Sequence, residues 1–148
     1  MIFGACPVAD SQSGNFYCNG WNSEHPELSL NLVRTGDFSG GFLTHPRLPY
    51  SKKDFFYRDE DLDITVLLSG SVFNRKELHE SEKMESTITD PELIGRLFLL
   101  HGEQFAGMLN GDFAFFIFRG KRAEAYLYRD QVGIRPLAWI FQDGILAF

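Results

Sequence analysis

Phe113-Ala-Phe-Phe-Ile-Phe118 is the stretch that decides how this sequence folds. A short, unbroken apolar run rich in aromatic side chains suits a strand that is buried on both faces. It predicts the central strand of a sheet. Downstream, Arg119-Gly-Lys121-Arg122 interrupts the run, and residues 124–129 then alternate apolar with polar. That pattern predicts a hairpin partner for the central strand, with the basic cluster as its solvated turn. Upstream, residues 103–109 read as a short helix ended by Asn110-Gly111.

Before it, Thr89-Asp90-Pro91-Glu92 opens a longer helix. Thr or Asp can cap it, Pro suits the first turn, and Glu favours the positive helix end. Leu93, Ile94, Leu97, Phe98 and Leu100 follow at helical spacing until Gly102. Further out, residues 64–68 form a buried strand ended by Ser69-Gly70-Ser71, after which Asn74 caps a short helix over 75–80. Leu28, Leu30 and Leu32 alternate as in a strand, residues 36–41 read as a turn, and the apolar opening Met1–Cys6 reads as a buried strand. Residues 10–26 are loop and 50–62 a polar surface excursion. Residues 135–141 and 144–148 form a last hairpin around Gln142-Asp-Gly144. Strands and helices that are grouped rather than alternating predict an α+β domain with antiparallel sheets. The sequence stops inside a strand, which predicts that a longer chain continues it.

The 148 residues are enough for one domain with a sizeable core. Apolar residues make up 44%, fifteen of them Phe, so the chain folds rather than staying disordered. A net charge of −6 without a basic stripe argues against nucleic acid as a partner. No apolar stretch approaches the ~20 residues that span a bilayer, and the start lacks the pattern of a signal peptide. The expectation is a cytoplasmic protein with no membrane partner. Cys6 and Cys18 allow one disulfide but form no framework, and neither has metal-ligand spacing to another Cys or His.

Four segments carry a family resemblance. Leu67-Leu-Ser-Gly70-Ser-Val-Phe-Asn74, Thr89-Asp90-Pro-Glu92, Leu109-Asn-Gly111-Asp-Phe113-Ala-Phe115 and Arg129-Asp130-Gln-Val-Gly133-Ile-Arg-Pro136-Leu137 occur in order and at the right spacing. Together they resemble the glutaminase domain of class II amidotransferases, of the asparagine-synthetase B type. The match covers roughly residues 42–148 well and the first part poorly. The resemblance implies an Ntn-hydrolase-like αββα sandwich of two antiparallel sheets. It also implies an N-terminal cysteine whose own α-amino group serves as base while its thiolate attacks the glutamine amide. The freed ammonia would pass to a C-terminal synthetase domain of the same longer chain. ATP and Mg are expected in that domain, and no cofactor in this one.

Aligning Ile2-Phe-Gly4 with the family's first strand leaves no cysteine at the nucleophile position. Ile2 is also too bulky for the usual removal of Met1. The resemblance places five residues in a glutamine pocket: Arg47 for the carboxylate with Leu48 beside it, Ser69 at the oxyanion, Gly70 next to it, and Asp90 for the α-ammonium. Ser69 stands where an asparagine is usual, and Ser71 where a glutamate is. Read without the family, Arg47 is a surface arginine, Asp90 a helix cap, and Asp130 a pin for the turn before Gly133. Gly70 and Gly111 supply backbone conformations that other residues resist. Cys6 is read as a buried core thiol, with a nucleophile released by cleavage as the alternative.

These features predict a non-catalytic pseudo-glutaminase lobe, as in relatives that build β-lactam rings or close lasso peptides. The alternatives are a working glutamine hydrolase whose true start carries a cysteine, and a module that binds glutamine or another amino acid. The sequence leaves a homodimer open.

Overall fold

The computed structural model describes residues 1–7 and 27–148. The predicted loop over 10–26, with Cys18, lies outside the described residues.

The apolar run becomes a strand, β6 (Gly111–Arg119), set between β5 (Ile64–Val72) and β7 (Glu124–Arg129). With β4 (Phe56–Asp59) at the edge they form a four-stranded antiparallel sheet in the order β4-β5-β6-β7. The two-faced burial expected of β6 is present. Phe113, Phe115 and Ile117 enter one core, and Phe116 and Phe118 enter the other. Phe115, Phe116 and Ile117 are fully enclosed. Each such side chain contributes roughly 1.5–3 kcal/mol of burial, so this strand is the centre of the fold's stability.

The core holding Phe115 lies under the helices. Helix α1 (Arg75–Ser81) and helix α2 (Asp90–His101) are followed by a 3-10 segment over Gly102–Met108. Leu93, Ile94, Leu97 and Phe98, the helical stripe read from the sequence, pack with Phe105 against Val66, Leu68 and Phe115. Leu100, counted in the same stripe, is 62% exposed, because it falls on the solvent side of the last turn.

The core holding Phe116 joins the two sheets. Its second wall is a five-stranded antiparallel sheet ordered β2-β3-β1-β9-β8. These strands are β1 (Ile2–Pro7), β2 (Ser29–Thr35), β3 (Phe38–Thr44), β8 (Ile140–Gln142) and β9 (Ile145–Ala147). Phe38 stacks on Phe116 with centroids 5.0 Å apart, and Phe148 stacks on Phe116 at 4.4 Å. Two stacked antiparallel sheets with helices packed outside one of them make the α+β sandwich expected from the sequence. The described residues supply one of its helical layers.

Four local readings need correction. Ser69-Gly70-Ser71 does not end the strand that starts at Ile64: β5 runs through all three to Val72, paired with Ala114, Phe113 and Asp112. Residues 36–41 are not a turn throughout. Only Gly36-Asp37 turns, and Gly40 and Gly41 are strand residues of β3 in register with Gly4 and Phe3. Gly40 lacks the side chain that would collide with the Phe38 ring, so the glycines serve packing rather than bending. The polar excursion over 50–62 contains β4, whose Phe56 and Tyr57 pair with Leu67 and Val66. Residues 135–139 are not strand. The last hairpin is only β8 and β9, and Pro136 fits the irregular lead-in because it has no N–H to give a ladder.

Candidate functional site

Three chain segments that the sequence keeps far apart end at one place. β5 delivers Ser69, Gly70 and Ser71, the start of α2 delivers Asp90, and β1 begins there with Met1. A cleft of about 710 Å³ opens among them, walled also by His45, Leu48, Tyr50, Phe55, Arg75 and Arg135.

Gly70 shapes the floor. Its φ is +109°, a region that side chains resist, and a Cβ there would overlap the Asp112 carbonyl oxygen of the neighbouring strand. Gly111 meets the same limit from the other strand: a Cβ would overlap the Ser71 carbonyl oxygen. Its φ is not positive, so close approach alone demands glycine there.

Asp90 is the first residue of α2, and Thr89 holds the N-cap position without a side-chain capping bond. The capping reading of Asp90 is therefore replaced by another. Its Oδ2 accepts the Val72 N–H at 3.0 Å, tying the helix to the end of β5. Its Oδ1 lies 3.2 Å from Arg75 Nη1, an ion-pair contact out of line for a hydrogen bond. Arg75 Nη2 in turn donates to the Ile88 carbonyl at 2.6 Å. Asn74 likewise does not cap α1 with its side chain. It reaches across to accept the Asn110 N–H and donate to the Met108 carbonyl, both at 2.9 Å, holding the floor of the region to the start of β6.

Arg135 closes another side. Its Nη2 donates to Asp112 Oδ2 at 2.7 Å, and its Nε is buried without a hydrogen-bond partner. The α-amino group of Met1 is held below its ordinary pKa, first by burial and then by the Arg135 guanidinium. Arg135 is brought in by the turn that Asp130 organises. Asp130 Oδ1 accepts the N–H groups of Val132, Gly133 and Ile134 at 3.1, 2.6 and 3.0 Å, and Oδ2 accepts that of Arg135 at 3.3 Å. Burial alone would raise its pKa; the backbone donors outweigh that and hold the carboxyl below its usual range. The structural reading of Asp130 is thus the one the geometry gives.

Of the five pocket residues read from the sequence, Leu48, Ser69, Gly70 and Asp90 line this cleft. Arg47 does not. Its side chain is exposed, and its backbone N–H donates to His45 Nδ1 at 3.2 Å. The arginines that do line the cleft are Arg75 and Arg135, which the sequence reading passed over. One signal was available for Arg135: it sits in the Asp130–Pro136 turn segment that carried part of the resemblance. Arg75 offered none, because a guanidinium at the start of a short helix usually points to solvent.

Cys6 lies at the far end of β1 from the cleft, paired across to Leu146. It is 1% exposed, and burial pushes its thiol up to about 12. A thiol so placed is protonated at neutral pH and has no route to a substrate. The core reading of Cys6 holds. Among the described residues no group of three or more His, Cys, Asp or Glu is placed to hold a metal ion. No helix among them is long and apolar enough to cross a membrane.

Antiparallel sheets stacked face to face, with a polar cleft where the first strand of one meets Gly70 of the other, make an α+β sandwich with one candidate site at the strand ends. The chain belongs to the glutamine amidotransferase domain family, whose model matches residues 46–148. It is similar to asparagine synthetase [glutamine-hydrolyzing] 3 of Arabidopsis thaliana, with 37% identity over 124 residues. It is also similar to the asparagine synthetases of Asparagus officinalis, at 36%, and Zea mays, at 34%. Each alignment covers 75% of this chain and 21% of the relative. The chain therefore spans about a fifth of the length of the curated relatives it matches.

Proposed function

We propose that this domain is a glutaminase-type lobe that keeps the amidotransferase cleft without carrying out glutamine hydrolysis, and that it supports an ATP-dependent amide-forming domain of an asparagine-synthetase-like protein. The observation that carries the reading is the position of sulfur relative to the cleft. Residues 1–5 contain no cysteine, and Cys6 is sealed between the sheets with its thiol protonated. The covalent route needs a thiolate at the cleft, and without one only binding and orientation remain. Ser69, beside Gly70 in β5, is a shorter donor than the asparagine that the family resemblance places there, and loss of one oxyanion donor typically costs on the order of 10²–10³ in rate.

Support for a companion domain comes from the surface beside the cleft. Val132 is 84% exposed and Trp139 64%, with Ile134, Ile140 and Phe141 also exposed. All five lie in the segment from the Asp130 turn to the edge strand β8, and so many exposed large apolar side chains in one short segment favour a partner surface. On this reading the ATP and Mg of amide formation belong to that companion domain, and the protein works in the cytoplasm.

A second reading is favoured by one feature. β1 opens directly into the cleft, with the Met1 amino group depressed in pKa beside Arg135. A cysteine immediately ahead of Met1 would lie at the cleft, and the domain would then supply ammonia from glutamine. The test is glutamate release from residues 1–148 and from the full reading frame. No release above a no-enzyme control is expected from residues 1–148. Release that disappears in Cys6→Ala would overturn the non-hydrolysing reading, and release from the full frame alone would establish the second.

A further inference from the structure

We infer that Arg75 is a specificity determinant of the cleft: its guanidinium occupies Asp90 from within, so the cleft does not favour ligands with an α-ammonium group over their deaminated counterparts. The inference rests on the reading that this cleft is an amidotransferase pocket.

An ammonium entering the cleft needs a carboxylate. Two line it, Asp54 and Asp90. Asp54 sits exposed at the rim. Its Oδ2 accepts the Ser51 N–H at 2.6 Å and the Ser51 hydroxyl at 3.0 Å, closing its own turn. Asp90, its side chain 15% exposed, is the receptor within the cleft, where water competes least for an ammonium. Its Oδ2 is taken by the Val72 N–H, and its Oδ1, buried and without an aligned hydrogen bond, faces Arg75 Nη1 at 3.2 Å.

Arg75 is not a loose surface cation at that point. It leaves the chain at the first residue of α1, and the 2.6 Å bond from its Nη2 to the Ile88 carbonyl fixes the other arm of the guanidinium. The rigid fork lets one side chain hold both acceptors at once. A ligand ammonium that pairs with Asp90 must displace one arm while the other stays anchored. It gains an ion pair of the kind it breaks. The net preference for the amine is then close to nothing, although carboxylate and ammonium attract. Removing the guanidinium would free Asp90 and make the same ammonium selectively favourable, because a carboxylate left unpaired in a partly buried cleft gains from any cation.

The experiment is titration calorimetry on the folded chain with L-glutamine and with 4-carbamoylbutanoate, which keeps the amide and the carboxylate and lacks the amine. The proteins are the wild type, Arg75→Gln, Arg75→Lys and the double variant Arg75→Gln/Asp90→Asn. Wild type and Arg75→Lys should bind the two ligands within about threefold of each other, while Arg75→Gln should prefer glutamine by about tenfold or more. The double variant should lose that preference, which a merely structural role for Arg75 would not produce. A wild type that already prefers glutamine by about tenfold overturns the inference, and that result stands whether or not the variants fold. So does an Arg75→Gln protein with no gain in preference, or the absence of binding of either ligand to any of the proteins. Glutamate is assayed in the same samples. Its appearance would break the non-hydrolysing reading while leaving the affinity ratio to decide this one.

Discussion

Asp90 and Asp130 are two largely buried carboxylates at the same end of the molecule, and they are satisfied in opposite ways. Asp130 takes four backbone N–H groups from the turn that follows it and, among the described residues, makes no ion pair. Asp90 takes one backbone N–H from a distant strand and an arginine. Backbone donors are fixed by the fold, so the Asp130 corner is a rivet. A side-chain cation can be exchanged, so the Asp90 corner remains a place where a ligand can compete. Asp112 links the two corners: its carboxylate holds Arg135 at 2.7 Å, and its carbonyl lies against Gly70.

The sharpest way to break the comparison is Gly70→Ala, which strikes both corners through Asp112. A side chain there meets backbone rather than a flexible tip, and it forces a residue with a Cβ to φ near +109°. The expected loss is about 3 kcal/mol or more, read as a collapse of the urea midpoint. Retention of wild-type stability would show that β5 can relax around this point.

Asp130→Ala should come next, since it orphans four backbone donors at once. Its pH dependence follows from the sign of the shift. The folded carboxyl titrates below its unfolded value, so its contribution is complete above the unfolded pKa of about 4 and is lost as pH falls through the folded value. The gap in urea midpoint between wild type and Asp130→Ala should be widest at neutral pH and shrink in the acid range below about pH 4. A gap that stays constant into acid would mean that the charge of Asp130 is not what the donors hold.

Asp90→Asn should cost less, about 1 kcal/mol, because the amide still offers an oxygen to Val72 and the Arg75 partner is 42% exposed. Adding 1 M salt should weaken the wild type more than this variant, and equal salt responses would argue that the Arg75 pair carries no stability.

The smallest functional effect belongs to Cys6→Ala. It should remove about 1 kcal/mol of packing from the inter-sheet core and leave every ligand affinity unchanged. In the native wild type the thiol should resist alkylation at neutral pH and react once the protein is unfolded. Rapid labelling of folded protein would place Cys6 nearer to solvent than the core allows.

How much of this was legible depended on the range of the interaction. β6, its hairpin with β7 and the helix over 90–101 were read from residues next to one another, since apolar periodicity and turn chemistry are local signals. The short β4 was hidden because charged residues, Arg58 to Asp61, dominate the window, and two of them, Arg58 and Asp59, are themselves strand residues paired with Thr65 and Ile64. Gly40 and Gly41 looked like a turn because a glycine that makes room for a ring and a glycine that bends the chain are the same letter. Within the cleft, Leu48, Ser69, Gly70 and Asp90 were found through segment resemblance. Arg47 was taken from the resemblance and Arg75 was passed over, because no local pattern says which guanidinium will reach a carboxylate fifteen residues further on.

The sequence by itself determined the α+β class, the central strand and its burial on both faces, the start of the long helix, and the family. Each depends on the identity and spacing of neighbouring residues, which local sterics and hydrophobic burial convert directly into backbone conformation. Tertiary structure alone decided which charges meet. It spent Asp90 on Arg75 and Val72, set Arg135 against Asp112, moved Arg47 out of the cleft and sealed Cys6 between the sheets. Those outcomes hang on angstrom-scale distances between segments tens of residues apart, and a guanidinium forms a short bond only where packing of the whole domain has already placed its partner.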